Sequence, residues 1–510
     1  MPDLIHVLPD DAHNAALVAN VHPRDWVNPR PTERYDLVAI GGGTAGLITS
    51  LVAASLGARV ALVERHLMGG DCLNVGCVPS KALIRAGRMA HDAARAGEIG
   101  ISRGDSPPSF AAAMERMRRI RARISREDSA ERYRDEFGVD VYLGSARFKS
   151  QGTLDVDGQE LRFARAVIAT GARATAPPID GLAQAGYLTN ENVFSLTERP
   201  RRLAIIGAGP IGCELAQTFQ RLGSQVSLLE VAPQILIRED ADAAAIIEAA
   251  LRREGVELVT DAAIRKAERR GDEKILRVTR AGVQGEIVVD EILVGAGRAP
   301  NVEGLGLERV GVAFDPRRGV TVNDHLRTTN PRIFAAGDVC MDWKFTHAAD
   351  AAAKLVVQNA LFFGRKRLSQ LVMPWCTYTD PEIAHVGLYE RDAKERGIEI
   401  DTYQVPIERA NRAVTDGEEE GFVKLHTRKG SDAILGATIV AAHAGELITP
   451  ITLAMTEGIG LGKLARIVYP YPTQSEAIKA AAGLYTRTRL TPRVRRLFDL
   501  WLRAQRRLGW

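Results

Sequence analysis

The sequence predicts an α/β architecture. One strand–glycine turn–helix–strand unit occurs twice, and a third domain of α+β type follows. Three observations predict it. The strand-like run YDLVAI (35–40) leads into Gly41-Gly42-Gly43-Thr44-Ala45-Gly46, an Ala- and Leu-rich helical stretch, and RVALVE ending at Glu64. The same order recurs where RLAIIG (202–207) leads into Gly207-Ala208-Gly209-Pro210-Ile211-Gly212, a helix, and QVSLLE ending at Glu230; both acidic residues stand 23 positions after the first glycine. From 371 to 480, strands and helices alternate without a glycine fingerprint, which marks the third domain. At 510 residues the chain is too long for one core.

Residues 1–34 contain Pro and His with no sustained period and read as an extended N-terminal arm. In each repeat, Gly41 or Gly207 permits the tight turn. Gly43 or Gly209 lets the backbone approach a pyrophosphate, and Gly46 or Gly212 lets helix and strand pack closely. The helix N-terminus then offers free N–H groups to the phosphates. The carboxylate of Glu64 or Glu230 would bind a ribose diol. A strand before the turn, a helix after it and an acid at that distance make the pattern specific, so two Rossmann-like dinucleotide-binding domains are expected. Two such sites imply electron relay, with one cofactor resident and one exchanging. Glu230 welcomes a free 2′-hydroxyl and repels a 2′-phosphate, and no Arg follows it until Arg238. NADH is therefore expected over NADPH.

Residues 111–136 are dense in Arg and Glu at helical spacing and read as a solvated helix face with i,i+4 pairs rather than an anion-binding surface. Five cysteines in the chain do not make a secreted disulfide framework, and the opening MPDLIHVLPDD predicts no secretory signal, so a cytoplasmic location is expected. Two cysteines, Cys72 and Cys77, sit in GGDCLNVGCVPSKAL (69–83). As zinc ligands they lack a second pair, since Cys213, Cys340 and Cys376 stand alone. As structural thiols they would be inert. As a redox dithiol they fit: the turn between them brings two sulfurs to bonding distance, and Pro79 suits the first turn of a helix whose N-terminus lowers a thiol pKa. Cys213 and Cys376 read as packing residues.

These stretches together resemble the pyridine nucleotide–disulfide oxidoreductases over roughly 35–483. GGDCLNVGCVPSK resembles that family's active-site disulfide. VIATGA (167–172, with Gly171) and GRAPN (297–301, with Gly297) resemble its connecting segments, TTNPRIFAAGDV (328–339) its second flavin motif, and YTDPEIAHVG (378–387) the start of its dimerisation domain. The resemblance implies an FAD-binding domain over 35–190 and 299–370, an NAD(P)-binding domain over 191–298 and a dimerisation domain over 371–483. It implies FAD on the first fingerprint with Glu64 on its ribose, and the nicotinamide coenzyme on the second. Asp338 would bind the ribityl chain, and a helix near His347 and Ala348 would point at the flavin. His347 itself is as well explained as a helix-start residue. Lys81 and Glu214 match the family's ion pair beside the flavin. Cys77 would face the flavin, and Cys72 would attack substrate. A homodimer is implied, because the family's acid–base motif acts across a two-fold interface.

That motif has a His where this chain has Tyr471, in YPYPTQSEAIKAA, with Glu476 in place. A phenol, whose ordinary pKa is about 10, does not shuttle protons near neutrality as imidazole does. Tyrosine here resembles mercuric reductases, as do RANRAVTDGEEEGFVKL (409–425) and AHAGELI (442–448). Soft thiolates suit soft metal ions. The printed end, RRLGW, lacks the vicinal cysteines of mercuric reductases, and Glu230 sits awkwardly with their NADPH use. The function expected is hydride transfer through FAD to Cys72–Cys77 and on to a small thiol/disulfide or metal-thiolate substrate. A dihydrolipoyl dehydrogenase-like enzyme is the alternative, and a redox-sensing flavoprotein with little turnover the alternative of another class.

The chain's net charge of +4 is a tail property: residues 484–510 hold eight Arg against one Asp, so the remainder is −3. No broad basic face points to nucleic acid. The tail reads as a basic amphipathic helix after Thr491-Pro492. Val494, Leu497, Phe498, Trp501 and Leu508 share one face, and Arg493, Arg496, Arg503 and Arg507 occupy others. Peripheral contact with an anionic membrane through 492–510 and packing on the chain's own dimer both fit this pattern.

Overall fold

A computed structural model describes residues 5–102 and 107–508. The chain forms two compact units, Met1–Ile235 with Glu254–Gln370, and Leu236–Arg253 with Leu371–Trp510.

The first unit holds both repeats. Strands β1 (Tyr35–Ile40) and β2 (Val60–Glu64) are buried almost throughout, as expected of parallel strands covered on both faces. With β3 (Asp140–Leu143), β4 (Ala146–Ser150), β5 (Thr153–Val156) and β6 (Gln159–Ile168) they form a sheet ordered β3-β2-β1-β6-β5-β4, and strand Ile333–Ala335 joins β6 in parallel. Leu37 pairs with Val60 on one side of β1 and with Arg165 on the other. The second repeat is a parallel sheet of Glu257–Val259, Gln225–Leu229, Arg202–Ile206 and Glu291–Val294.

The arm is not extended throughout. It contains helix α1 (Ala12–Val21), whose N-cap Asp11 accepts from the Asn14 N–H at 2.8 Å. Residues 14, 17, 18 and 21 are its buried face. That is helical spacing, but Asn14 fills one of the apolar slots and hides the period. Helix α5 (Phe110–Ile124) likewise departs from the solvated face expected of it: Arg118 and Arg121 are buried. Helices α2 (Thr44–Ser55), α3 (Gly70–Asn74) and α4 (Cys77–Arg95) carry the glycine turn and the cysteines.

In the second unit, five antiparallel strands are ordered Pro374–Thr377, Glu382–Gly387, Ile434–Ala441, Phe422–Arg428 and Ile400–Pro406. Helix Glu476–Thr488 buries Ala477, Ile478, Ala481 and Ala482. Leu236–Arg253, inside the 191–298 span in sequence, belongs to this unit. Lys424 donates to Asp240 at 3.0 Å and to Asp242 at 2.8 Å, and Arg253 donates to Glu420 at 2.7 Å. Helix Pro492–Arg507 starts where the sequence predicts, capped by Thr491, and buries no residue. Among the described residues no helix is long and apolar enough to cross a membrane.

Candidate active site

At the first fingerprint, Gly41 has φ +107°, and a Cβ there would lie 2.4 Å from the Ala169 carbonyl oxygen. A Cβ on Gly46 would lie 1.8 Å from the Gly41 oxygen. A Cβ on Gly43 would meet nothing closer than Gly70 Cα at 3.6 Å, so the backbone is bare where α2 begins. Glu64 accepts from the Gly42 N–H at 2.5 Å and the His66 N–H at 2.6 Å; burial raises its pKa and these donors oppose the rise. A cavity of about 540 Å³ opens beside it, lined by Gly41, Glu64, Arg65, Ser145, Thr170 and Asn301 among others.

The second fingerprint repeats this geometry. Gly207 has φ +101°, a Cβ on Gly212 would lie 1.9 Å from the Gly207 oxygen, and a Cβ on Gly209 would meet nothing within 4 Å. Glu230 accepts from the Ala208 N–H at 2.8 Å and the Ala232 N–H at 3.0 Å. The two connecting segments lie side by side: Ala172–Ala174 pairs antiparallel with Arg298–Pro300, and the Asn301 N–H donates to the Gly171 carbonyl at 2.9 Å. Gly297 sits at φ +157°, where a Cβ would crowd Thr175 Oγ1 at 2.9 Å.

Cys72 lies on α3 and Cys77 opens α4, with Gly76 at the bend; a Cβ on Gly76 would lie 2.7 Å from the Asp71 oxygen. The two thiols share a hydrogen bond. Cys77 Sγ also lies 3.4 Å from Oγ1 of Thr346, the first residue of helix Thr346–Leu361. The hydrogen bond from Cys72 lowers the Cys77 pKa to about 6 against the effect of burial, helped by Thr346 and the charge of Lys81. Cys72 is pushed far up, first by that same hydrogen bond, then by burial and the Cys77 charge. The reduced pair therefore holds its negative charge on Cys77. Lys81 Nζ donates to Glu214 at 2.8 Å, and Glu214 is buried.

The sign of that shift gives a pH prediction. Cys77 is a thiolate above about pH 6 and a thiol below it. The thiolate absorbance of the reduced protein is expected to rise through a midpoint about 6, and Lys81→Met is expected to move that midpoint upward. A midpoint at an ordinary thiol value of about 8.5 would contradict this environment.

Two residues at the site escaped the sequence reading. Arg298 pairs with Asp71, next to Cys72, and stands 3.5 Å from Asp338, whose pKa burial raises. It lies within GRAPN, so the signal was one position from the glycine singled out. Thr346 precedes His347 and Ala348 at the helix start, where a hydroxyl reads as a cap. Ala348 is fully buried in the helix's first turn. Of the other cysteines, Cys213 is buried and donates to the Ala208 carbonyl at 3.3 Å, and Cys376 packs half-buried against the second unit's core. Among the described residues no three His, Cys, Asp or Glu side chains gather as metal ligands. Tyr471 and Glu476 lie in the second unit. Tyr471 is exposed and accepts from Asn411 Nδ2 at 3.0 Å, while one buried carboxylate oxygen of Glu476 has no partner among the described residues.

The model of the pyridine nucleotide-disulphide oxidoreductase family matches residues 35–353, and that of its dimerisation domain matches 373–482. The chain belongs to this family. It is 38% identical to a mercuric reductase of Streptomyces lividans over 89% of this chain and 96% of that protein. It is 34% identical to a dihydrolipoyl dehydrogenase of Thermus scotoductus over 88% and 96%. Among solved structures, the HOCl-induced flavoprotein disulfide reductase RclA from Escherichia coli superposes with a TM-score of 0.79 at 28% identity, covering 88% of this chain and all of that one. LpdA from Mycobacterium tuberculosis gives 0.81 at 27%, covering 89% and all of that chain.

Members of the pyridine nucleotide-disulphide oxidoreductase family are FAD-dependent and use NAD(P)H. The residues here fit such a flavin. Bare backbone at Gly43 leaves room for a pyrophosphate, α2 starts there with its first N–H groups, and a cavity opens beside Glu64.

Proposed function

We propose that the chain is an NADH-oxidising reductase whose Cys72–Cys77 pair delivers two electrons to a soft-metal thiolate or a small disulfide. The observation that carries this reading is the setting of Cys77: its Sγ lies 3.4 Å from Thr346 Oγ1 at a helix N-terminus, and the hydrogen bond from Cys72, Thr346 and the charge of Lys81 all lower its pKa. Bound FAD supplies the path by which electrons from NADH reach the disulfide. The chain's own residues do the rest. The Gly41–Gly46 turn and Glu64 hold the cofactor, and Gly207, Gly209, Gly212 and Glu230 hold the coenzyme. Lys81, fixed by Glu214, and the N-terminus of Thr346–Leu361 keep negative charge on Cys77. Cys72 attacks substrate as its proton passes along the shared hydrogen bond to the Cys77 thiolate. Tyr471, standing where a disulfide reductase has His, favours a metal dithiolate over a disulfide, because a metal substrate makes less demand for a proton on a leaving thiol. The protein works as a homodimer, in the cytoplasm.

Anaerobic NADH consumption with a mercuric dithiolate, beside small disulfides including lipoamide, tests the reading. Turnover of the metal complex alone is expected. Fast turnover of a disulfide would favour the dihydrolipoyl dehydrogenase-like alternative, and a single reduction without turnover would favour a sensor. Because the half-buried Glu230 carboxylate engages two backbone N–H groups at the second fingerprint, kcat/KM is expected to favour NADH over NADPH by roughly tenfold or more, the order of a lost hydrogen bond plus charge repulsion. A clear NADPH preference would overturn this.

A further inference from the structure

A buried cation stands beside the redox loop. Arg121 on α5 is 3% exposed, and among the described residues no carboxylate hydrogen-bonds to it; Asp11, held by Arg118, acts on its charge only from a distance. One of its terminal nitrogens donates to the backbone carbonyl of Asn74 at 2.7 Å, and the other donates to Asn14 Oδ1 on α1 at 2.6 Å. Burying a guanidinium against neutral acceptors is costly, and an apolar side chain of similar volume would usually serve stability as well. Stability alone does not account for the choice.

The geometry of its partners does. Asn74 lies between Cys72 and Cys77, and its side chain donates to the carbonyls of Met68 at 3.0 Å and Gly70 at 2.9 Å. Asn14, 2% exposed, donates to the Pro9 carbonyl at 2.7 Å. Arg118, one turn earlier on α5, holds the α1 cap Asp11 at 2.5 Å. At the far end of α1, the Met68 N–H donates to the Val21 carbonyl at 3.2 Å. α1 thus touches the 68–77 loop at its entry directly and at its midpoint through Arg121. Residues 12–21 also precede the segment, 35–353, that matches the family model.

We propose that α1 is a brace for the redox pair, with Asn14 and Arg121 as positioning residues that act through Asn74. Holding the Asn74 carbonyl fixes the bend between the two cysteines, so the sulfurs stay near each other after reduction. That raises the effective concentration of one thiol for the other and makes the disulfide harder to reduce. The brace rests on the reading of Cys72–Cys77 as a redox couple.

The test is a thiol–disulfide equilibrium of the full-length holoprotein against dithiothreitol, with thiols trapped by alkylation and counted by mass. Reduction exchanges the Cys72–Cys77 sulfur–sulfur bond of the oxidised protein for two thiols, and dithiothreitol loses two electrons and two protons as it closes its own ring. Asn14→Ala removes the acceptor, whereas Asn14→Asp keeps it. Asn14→Ala is expected to lower the equilibrium constant for disulfide closure about tenfold, which is ~30 mV for a two-electron couple. Asn14→Asp is expected to keep the wild-type value. Both carry Arg121 unchanged, so neither depends on whether Arg121→Met folds. Equal potentials in wild type and Asn14→Ala, or the same shift in both variants, would overturn the brace. A wild-type pair that forms no disulfide at any ratio would instead overturn the redox reading beneath it.

Discussion

Cys72→Ser and Cys77→Ser are each expected to lower steady turnover by at least about 10³-fold, since removal of a covalent nucleophile can cost as much as about 10⁶-fold. Reduction of the bound flavin by NADH should persist in both, because neither sulfur belongs to the coenzyme site. The two variants should nevertheless differ. In Cys77→Ser, Cys72 loses the anionic partner that holds it protonated, so its pKa falls toward the ordinary thiol value. In Cys72→Ser, Cys77 keeps Thr346, Lys81 and a hydroxyl donor, so its pKa stays low. Alkylation rates against pH, measured beside stopped-flow reduction, read both effects. Turnover by Cys72→Ser near the wild-type rate would mean that substrate takes electrons without the pair.

Gly46→Ala and Gly212→Ala separate the two nucleotide sites. In each, the added methyl would meet a backbone oxygen, at 1.8 Å and 1.9 Å respectively, which cannot rotate away as a side chain would. Overpacking of this kind costs about 1–3 kcal/mol, equivalent to roughly 5- to 150-fold in binding if it falls on the ligand-bearing turn. Gly46→Ala is expected to purify with a small fraction of the wild-type flavin. Gly212→Ala is expected to stay yellow and to raise the KM for NADH tenfold or more. Flavin loss in Gly212→Ala, with retention in Gly46→Ala, would reverse the assignment of the two sites.

Much of this was legible because glycine geometry leaves a strict pattern in sequence. Gly41, Gly46, Gly207 and Gly212 are places where a single added carbon collides with backbone, so their spacing announces the turn. The cysteine pair was legible for a similar reason, since few other arrangements put two cysteines around Asn74-Val75-Gly76. What escaped was carried by polar residues in unusual surroundings. Asn14 occupies a core slot of α1, and the helix read as an arm. Arg118 and Arg121 read as solvated because charged side chains in a helix nearly always are. The membership of Leu236–Arg253 depends on Lys424 and Glu420, some 170 residues away in sequence, and no local period records that contact.

The helix Pro492–Arg507 buries nothing, and this makes it an element with a conditional structure. An isolated helix of sixteen residues is marginal in water, because nucleation is unfavourable and only burial of an apolar face compensates for it. Leu497, Phe498 and Trp501 find no such burial within the chain. Its helicity should therefore vary with protein concentration and with whatever surface is offered to it, while the rest of the molecule keeps a constant signal. The last turns would then report on their surroundings, gaining helicity where a surface covers Leu497, Phe498 and Trp501.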